Sequence, residues 1–392
     1  MNLFLFLAGM FLVTFILGQI LEKIRIPWIF SALLTGLGLA FYNPFGAVTS
    51  SPEFVFLANL GMYFLLFIIG FEIDFVEIKK HGGFIIKSTL VIILAEAFFG
   101  MLFVHYVFGV SWLISTLVGL SFATVGEAVL IPILDEFKIT KTPLGQTIIG
   151  IGVLDDVIEI ITVLSFIAIL GIAGVHTDTN ITSTVVILIS MFILAYLLTE
   201  WKHDAAKIHF KGIASFFLFV IFFIFLFIGI GNAADTGILG ALLAGMALKN
   251  FIPRGKWKII DSEIRTMAYG FFAPFFFLWI GLQTDTKYLI AFPMMIIILL
   301  LVTGIPKIIA SYFVGRNVLG KNNALILGIS LTVKFSTSIV IIKLLLDKGL
   351  IPISLYSLLI AVTVVEKFIV PFLLSNLIPK LKVRKAMRVS RG

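Results

Sequence analysis

Three carboxylates fall within five positions of Gly150-Ile151-Gly152-Val153-Leu154-Asp155-Asp156-Val157-Ile158-Glu159. The run that holds them, Leu144 to Ala173, is predominantly apolar. It is long enough to cross a bilayer as a helix, which takes about 20 apolar residues. One acid at the centre of such a helix costs about 2.5–3.5 kcal/mol on insertion scales, so acids kept there mark an ion or proton path. Neighbours on a helix project about 100° apart. Asp155 and Asp156 therefore cannot face one partner equally: one can pair with a lysine while the other faces water. Glu159 lies one turn on, at i+4 and i+3, close to the same face. Burial penalises the charged form of a carboxylate. An acid in a half-wet cavity thus takes a proton or a small hard cation, and the two compete. Oxygen ligands suit such cations. That competition is sufficient to couple proton flow to cation flow. The bland alternative, an inert buried salt-bridge network, explains poorly why acids outnumber lysines on this segment.

Other ionisable residues lie within apolar runs: the acids Glu96, Glu127 and Glu366, and the lysines Lys87, Lys307, Lys334, Lys343 and Lys367. Charges in lipid must pair, face a wet cavity or snorkel. Lys87 and Lys343 sit towards the ends of their runs and are expected to snorkel. Lys307 follows Pro306 well inside its run and needs a counter-ion. Lys334 lies in Ser330-Leu331-Thr332-Val333-Lys334-Phe335-Ser336-Thr337-Ser338, rich in hydroxyls and poor in helix formers. Its counterpart is Ser121-Phe122-Ala123-Thr124-Val125-Gly126-Glu127-Ala128. Both read as places where a helix unwinds. Half-helices ending there point opposite dipole ends at each other, and Lys334 and Glu127 are expected to neutralise those ends rather than bind a cation. The histidines, His81, His105, His176, His203 and His209, lie at or beyond span ends and read as solvated residues rather than pH sensors.

The elements that must position these groups follow from the hydropathy. Of the 392 residues, 60% are hydrophobic and 13% charged, against about 25% charged in a soluble domain. An all-α polytopic membrane protein is expected, with thirteen spans near 2–19, 27–42, 53–71, 83–108, 111–134, 143–173, 182–200, 212–231, 236–250, 264–284, 288–315, 322–346 and 352–378. The first run continues too far, without a small-residue cleavage site, to be a cleaved signal. There are no cysteines, which excludes disulfides, thiolate metal sites and cysteine nucleophiles. No Ser/His/Asp set, histidine cluster or Gly-rich phosphate loop is present, so an enzyme is not expected and no cofactor is implied.

The net charge of +8 is topological and does not signal nucleic acid. Twenty-two of the 29 Lys and Arg fall in alternate loops and the C-terminal tail, and two, Lys287 and Lys348, in the opposite loops. Positive loops face the cytoplasm, which puts the N-terminus outside and the basic tail, 380–392, inside. The tail reads as a retention signal, with contact to anionic membrane lipid as the alternative.

The chain also repeats itself. Ile29 to Leu39 recurs as Ile238 to Leu248, with six of eleven positions identical. Phe64 to Asp74 recurs as Phe275 to Asp285, and Gly119-Leu120-Ser121 as Gly328-Ile329-Ser330. The offset is 209–211 throughout, so spans 1–6 correspond to spans 8–13 in opposite orientation. Such inverted repeats build secondary transporters with a site near broken helices at mid-membrane. At an offset of 211, Asp155 matches Glu366, Asp156 matches Lys367 and Glu96 matches Lys307.

The Asp155-Asp156 pair, the Thr124-Val125-Gly126 stretch, Lys307 and Phe67-Ile68-Ile69-Gly70-Phe71-Glu72-Ile73-Asp74 resemble the monovalent cation:proton antiporter-2 family, most nearly its bacterial sodium/proton antiporter branch. The glutathione-gated potassium efflux relatives usually carry Gln-Asp and a cytosolic nucleotide-binding domain. Here the pair is Asp-Asp, and the chain stops about a dozen residues after its last span. The resemblance implies a homodimer in the inner membrane. Its dimerisation side would be 1–81 and 212–286, and 176–211 would be a linker. Its mobile core would be 82–175 and 287–379, moving as an elevator. Carried over by position, Asp156 binds sodium or lithium and exchanges a proton. Asp155 pairs with Lys307 until the cation arrives, and exchange is electrogenic. Glu127, Glu159 and Lys334 depart from the pattern and bear on sodium against potassium. A potassium/proton antiporter, and more remotely a channel or organic-anion symporter, are the rival readings.

Overall fold

In this computed structural model the described residues are 2–24, 26–72, 82–126, 130, 134, 139–172, 186–187, 189–198, 213–233, 237–251, 257–334 and 336–389. Glu127, Ile73, Asp74, His81, His176, His203 and His209 lie outside them, as do the side chains of Asp156 and Glu159. The described chain is helical, without a strand. In order it forms α1 (Leu3–Lys23), α2 (Phe30–Phe41), α3 (Pro52–Glu72), α4 (Gly83–Phe108), α5 (Trp112–Phe122) and α6 (Pro143–Ile172). Then come α7 (Ile213–Asn232), α8 (Gly237–Phe251), α9 (Trp257–Met267) and α10 (Ala273–Leu282). The last five are α11 (Thr286–Ala291), α12 (Pro293–Gly315), α13 (Lys321–Leu331), α14 (Ser336–Asp347) and α15 (Ile353–Val389). Among the described residues six helices are long and apolar enough to cross a membrane: Leu3–Lys23, Pro52–Phe71, Gly83–Phe108, Ser262–Leu282, Pro293–Gly315 and Ile353–Ile378. Five further apolar helices are shorter, among them Phe30–Phe41 and Trp112–Phe122.

Helix α12 shows how such a sequence is partitioned. Ile297, Leu301, Ile305 and Ile309 recur every fourth residue and are exposed. Leu299, Thr303, Lys307 and Ala310 on the other side are buried. The apolar stripe faces outward and the ionisable residue inward, the reverse of a soluble helix.

The chain divides into two compact units. One comprises Met1–Phe11, Pro44–Asp74 and Val163–Trp279; the other comprises Leu12–Asn43, Phe75–Thr162 and Ile280–Gly392. In the first, α3 packs on α8, and α8 on α7. A π turn, Ala268–Phe272, joins α9 to α10, and its Phe272 stacks on Phe64 with centroids 4.5 Å apart. Phe6, Phe54 and Phe275 extend this aromatic core edge to face.

In the second unit, α4 packs on α5 and α12, and α12 on α13. Two glycines at matched positions make this possible. A Cβ on Gly119 of α5 would meet the Ala97 carbonyl of α4 at 2.5 Å. A Cβ on Gly328 of α13 would meet Ile308 Cα of α12 at 2.7 Å. Each short helix therefore lies backbone to backbone on a long one. Helix α5 ends at Phe122, and Ala123 to Gly126 are not helical. Helix α13 ends at Leu331, Thr332 to Lys334 are not helical, and α14 begins at Ser336. The two hydroxyl-rich stretches are thus interruptions, as their composition suggests.

Candidate functional site

The site is assembled around the two interruptions. An interrupted helix leaves carbonyls without intrahelical partners on one side and N–H groups on the other. Here the interruptions partly satisfy each other: the Gly126 N–H donates to the Val333 carbonyl at 2.6 Å. Side chains from the long helices take the remaining groups. Lys307 of α12 donates to the carbonyls of Ala123 (2.9 Å) and Thr124 (3.1 Å). One residue further on, the Val125 N–H donates to Asp155 Oδ2 of α6 at 2.5 Å. Lys367 of α15 donates to the Lys334 carbonyl at 2.5 Å and to Thr363 in its own helix at 3.5 Å.

A chain of alternating charge runs beside them. Lys307 Nζ lies 2.7 Å from Glu96 Oε2 of α4. Glu96 Oε1 lies 3.1 Å from Lys334 Nζ, which is 2.7 Å from Glu366 Oε1 of α15. The four side chains are buried. Lys334 Nζ also sits 4.3 Å from the centre of the Phe122 ring, a cation–π contact that favours the ammonium where water is absent.

Sequence reasoning and geometry meet here unevenly. Glu96 and Lys307, matched at an offset of 211, are ion-paired to each other. The expected ion pair of Asp155 with Lys307 is not formed. Glu96 has taken the ammonium, and Asp155 has taken a main-chain N–H. Both nonetheless hang from consecutive residues of one interruption. Thr124 contributes through its carbonyl; its hydroxyl reaches only the Ser121 carbonyl, at 3.5 Å. Lys334 holds two carboxylates, which a helix-end role alone did not anticipate. Asp156 and Glu159 are on α6, and nothing further is placed for them or for Glu127.

Two lysines were read alike and differ. Lys87 is exposed, as a snorkelling lysine should be. Lys343 is buried and ion-paired with Asp347, one turn on at the exposed end of the helix. His105 is more engaged than a solvated residue. Its Nδ1 is 2.7 Å from the Val110 carbonyl, and its ring stacks on Trp112 with centroids 3.7 Å apart. The i, i+7 spacing of a histidine and a tryptophan across a tight turn was the available signal. Lys367 was the residue least appreciated from sequence, where it stood as one of five lysines in apolar runs and as the match of Asp156.

Two features leave room for exchange chemistry. Asp155 Oδ1 and Glu366 Oε2 are buried with no hydrogen-bond partner among the described residues. A buried carboxylate oxygen in that state is costly until a proton or cation meets it. Oxygen atoms of this kind suit a hard cation.

The chain is similar to known proteins. A family model described as sodium/hydrogen exchanger, transmembrane, matches residues 9–378. The chain is 27% identical over 375 residues to the probable Na(+)/H(+) antiporter 3 of Methanocaldococcus jannaschii, covering 93% of this chain and 94% of that one. It is 25% identical over 372 residues to the Na(+)/H(+) antiporter of Enterococcus hirae, covering 91% and 93%. Among solved structures, the sodium proton antiporter MjNhaP1 from Methanocaldococcus jannaschii at pH 8 has the same fold, with a TM-score of 0.62 at 16% identity over 96% of this chain and 95% of that one.

Proposed function

Because the chain belongs to the sodium/hydrogen exchanger family, a family of multi-pass membrane transporters rather than catalysts, we propose that it exchanges sodium or lithium for protons across the inner membrane by alternating access, with Asp156 and Asp155 as the competing cation and proton site. The charge balance carries this reading. Among the described buried residues near the interruptions, Glu96, Asp155 and Glu366 are matched by Lys307, Lys334 and Lys367. Lys343 is engaged with Asp347. Asp156, the next position on α6, brings a further negative charge for which no described lysine remains. A proton or a monovalent cation supplies the missing charge, and only one of them is needed at a time. The partnerless Asp155 Oδ1 supports the same conclusion.

Lys307 and Glu96 then fix the frame within which Asp155 and Asp156 change partners. Glu127 and Glu159 are proposed as supporting acids near the path. The matched interruptions and the repeats at 209–211 support the inverted-repeat architecture of thirteen spans. The proposed dimerisation side is 1–81 and 212–286, and the proposed moving core is 82–175 and 287–379. The alternation of Lys and Arg supports an external N-terminus and a cytoplasmic C-terminus.

The test is proteoliposomes carrying an imposed pH gradient and a pH-sensitive dye, challenged with sodium, lithium and potassium in turn. Dequenching by sodium and lithium is expected, and none by any of the three defeats the proposal. A response to potassium alone transfers the reading to potassium/proton exchange. Asp156→Asn is expected to abolish exchange. Asp155→Asn is expected to lower exchange or render it electroneutral, read by repeating the assay with the potential clamped.

A further inference from the structure

Helices α4 and α12 pack antiparallel, and two contacts fix their register. Glu96 meets Lys307 at 2.7 Å, and a Cβ on Gly100 would lie 3.9 Å from Thr303 Cγ2. Four residues forward along α4 thus correspond to four residues back along α12. By that register Leu90, Leu94 and Phe98 of α4 stand level with Phe313, Ile309 and Ile305 of α12, and all six are exposed. About one turn beyond Leu90 and Phe313, the same register brings Lys87 level with Arg316, and both are exposed. In a membrane transporter of this family, an exposed apolar column of this kind faces acyl chains. Cationic side chains at its end hold their charge at the level of the lipid headgroups.

The rest of this end also favours an anion. Helix α4 starts here, and its N-cap, Gly82, supplies no side-chain cap. Helix α13 packs on α12 with Gly315 against Ala324, so it starts here too, and its N-cap, Gly320, supplies none either. The first-turn N–H groups of both helices therefore present the positive ends of their dipoles. The opposite dipole end, that of α12, is closed over. The Arg316 N–H donates to the Tyr312 carbonyl, the Leu319 N–H to the Gly315 carbonyl, and Asn323 Nδ2 to the Leu319 carbonyl. Lys321, the first residue of α13, adds a third exposed cation. The Arg316 guanidinium lies 5.0 Å from the centre of the Phe313 ring, at the end of the apolar column. The one acid of α4, Glu96, is buried and paired with Lys307 and Lys334. Helices α12 and α13 carry no acid.

We propose that Lys87 and Arg316, with Lys321 beside them, form a binding site for an anionic phospholipid. The two side chains take the headgroup phosphate, and the exposed column between Leu90 and Phe98 on α4 and Ile305 and Phe313 on α12 takes the acyl chains. A zwitterionic lipid offers the same chains without net charge, so the basic end selects against it. The site is independent of the exchange proposed above. It takes from the proposed topology only that this end meets the cytoplasmic leaflet, where anionic lipids attract basic side chains.

The test titrates the purified full chain with phosphatidylglycerol, or with phosphatidylcholine of the same acyl chains, and reads lipid adducts by native mass spectrometry. Wild type is expected to hold its first phosphatidylglycerol about 25-fold tighter than phosphatidylcholine. Lys87→Gln and Arg316→Gln are each expected to lose about fivefold of that preference, and the double variant nearly all of it. Lys87→Arg keeps the charge and is expected to keep the preference. Lys287→Gln removes an exposed cation of α11, outside the site, and is expected to change nothing. Equal binding of the two lipids by wild type overturns the proposal. So does a preference that both single variants retain, a comparison that stands even if the double variant fails to accumulate. Inorganic phosphate is the competing arm: displacement of phosphatidylglycerol by millimolar phosphate would make this a site for a free anion and overturn the lipid assignment.

Discussion

Glu96 is the residue on which two lysines depend. Its oxygens meet Lys307 and Lys334, so Glu96→Gln leaves two buried ammoniums short of a partner. Breaking a buried pair from one side costs about 3–5 kcal/mol. Glu96→Gln is expected to lower the unfolding temperature in detergent markedly. The double variant Glu96→Gln/Lys307→Met is expected to recover part of that loss, because it removes an uncompensated charge along with the acid. Additive losses would show that the pair is not coupled. Which residues were ionisable inside apolar runs was legible in the sequence, since nothing else in such a run competes for notice. Who pairs with whom was not. Glu96 and Lys334 are more than two hundred positions apart, and the Lys307 ammonium had several acids to choose from. Burial of Lys343 was missed for a related reason: proximity to a span end says nothing about what packs over it.

The interruptions after α5 and α13 were legible because Ser and Thr side chains compete with the helix for backbone hydrogen bonds, and Gly costs backbone entropy there. Their mutual bond was not, since it joins two main chains and no side chain announces it. The π turn at Ala268–Phe272 and the separate helix α11, capped by Asp285 through Tyr288 N–H at 3.0 Å, also escaped a reading based on apolar length. Gly119 and Gly328 entered that reading only as matched letters, while their work is to let short helices lie on α4 and α12. Gly119→Leu and Gly328→Leu are each expected to destabilise by about 1–3 kcal/mol or more, as overpacking against rigid backbone does. Thermal unfolding of the purified protein checks this. An unchanged midpoint for either would mean that the helices can separate there without cost.

For the molecule entire, the alternation of basic loops fixes a proposed orientation that a cysteine-free chain makes easy to examine. A single cysteine replacing Lys287 is expected to react with an impermeant maleimide in intact cells. One replacing Arg388 is expected to react only in inverted vesicles. The reverse pattern would turn the protein over. The family and helical class followed from composition and motif, whereas the division into two units, each assembled from three stretches of chain, needed coordinates. Where Gly126 meets Val333, neither participant is a side chain. Alanine scanning, the usual census of what matters, is blind to a fastening of this kind. It becomes visible only when the amide itself is altered, by proline at 126 or by an ester in place of that peptide linkage.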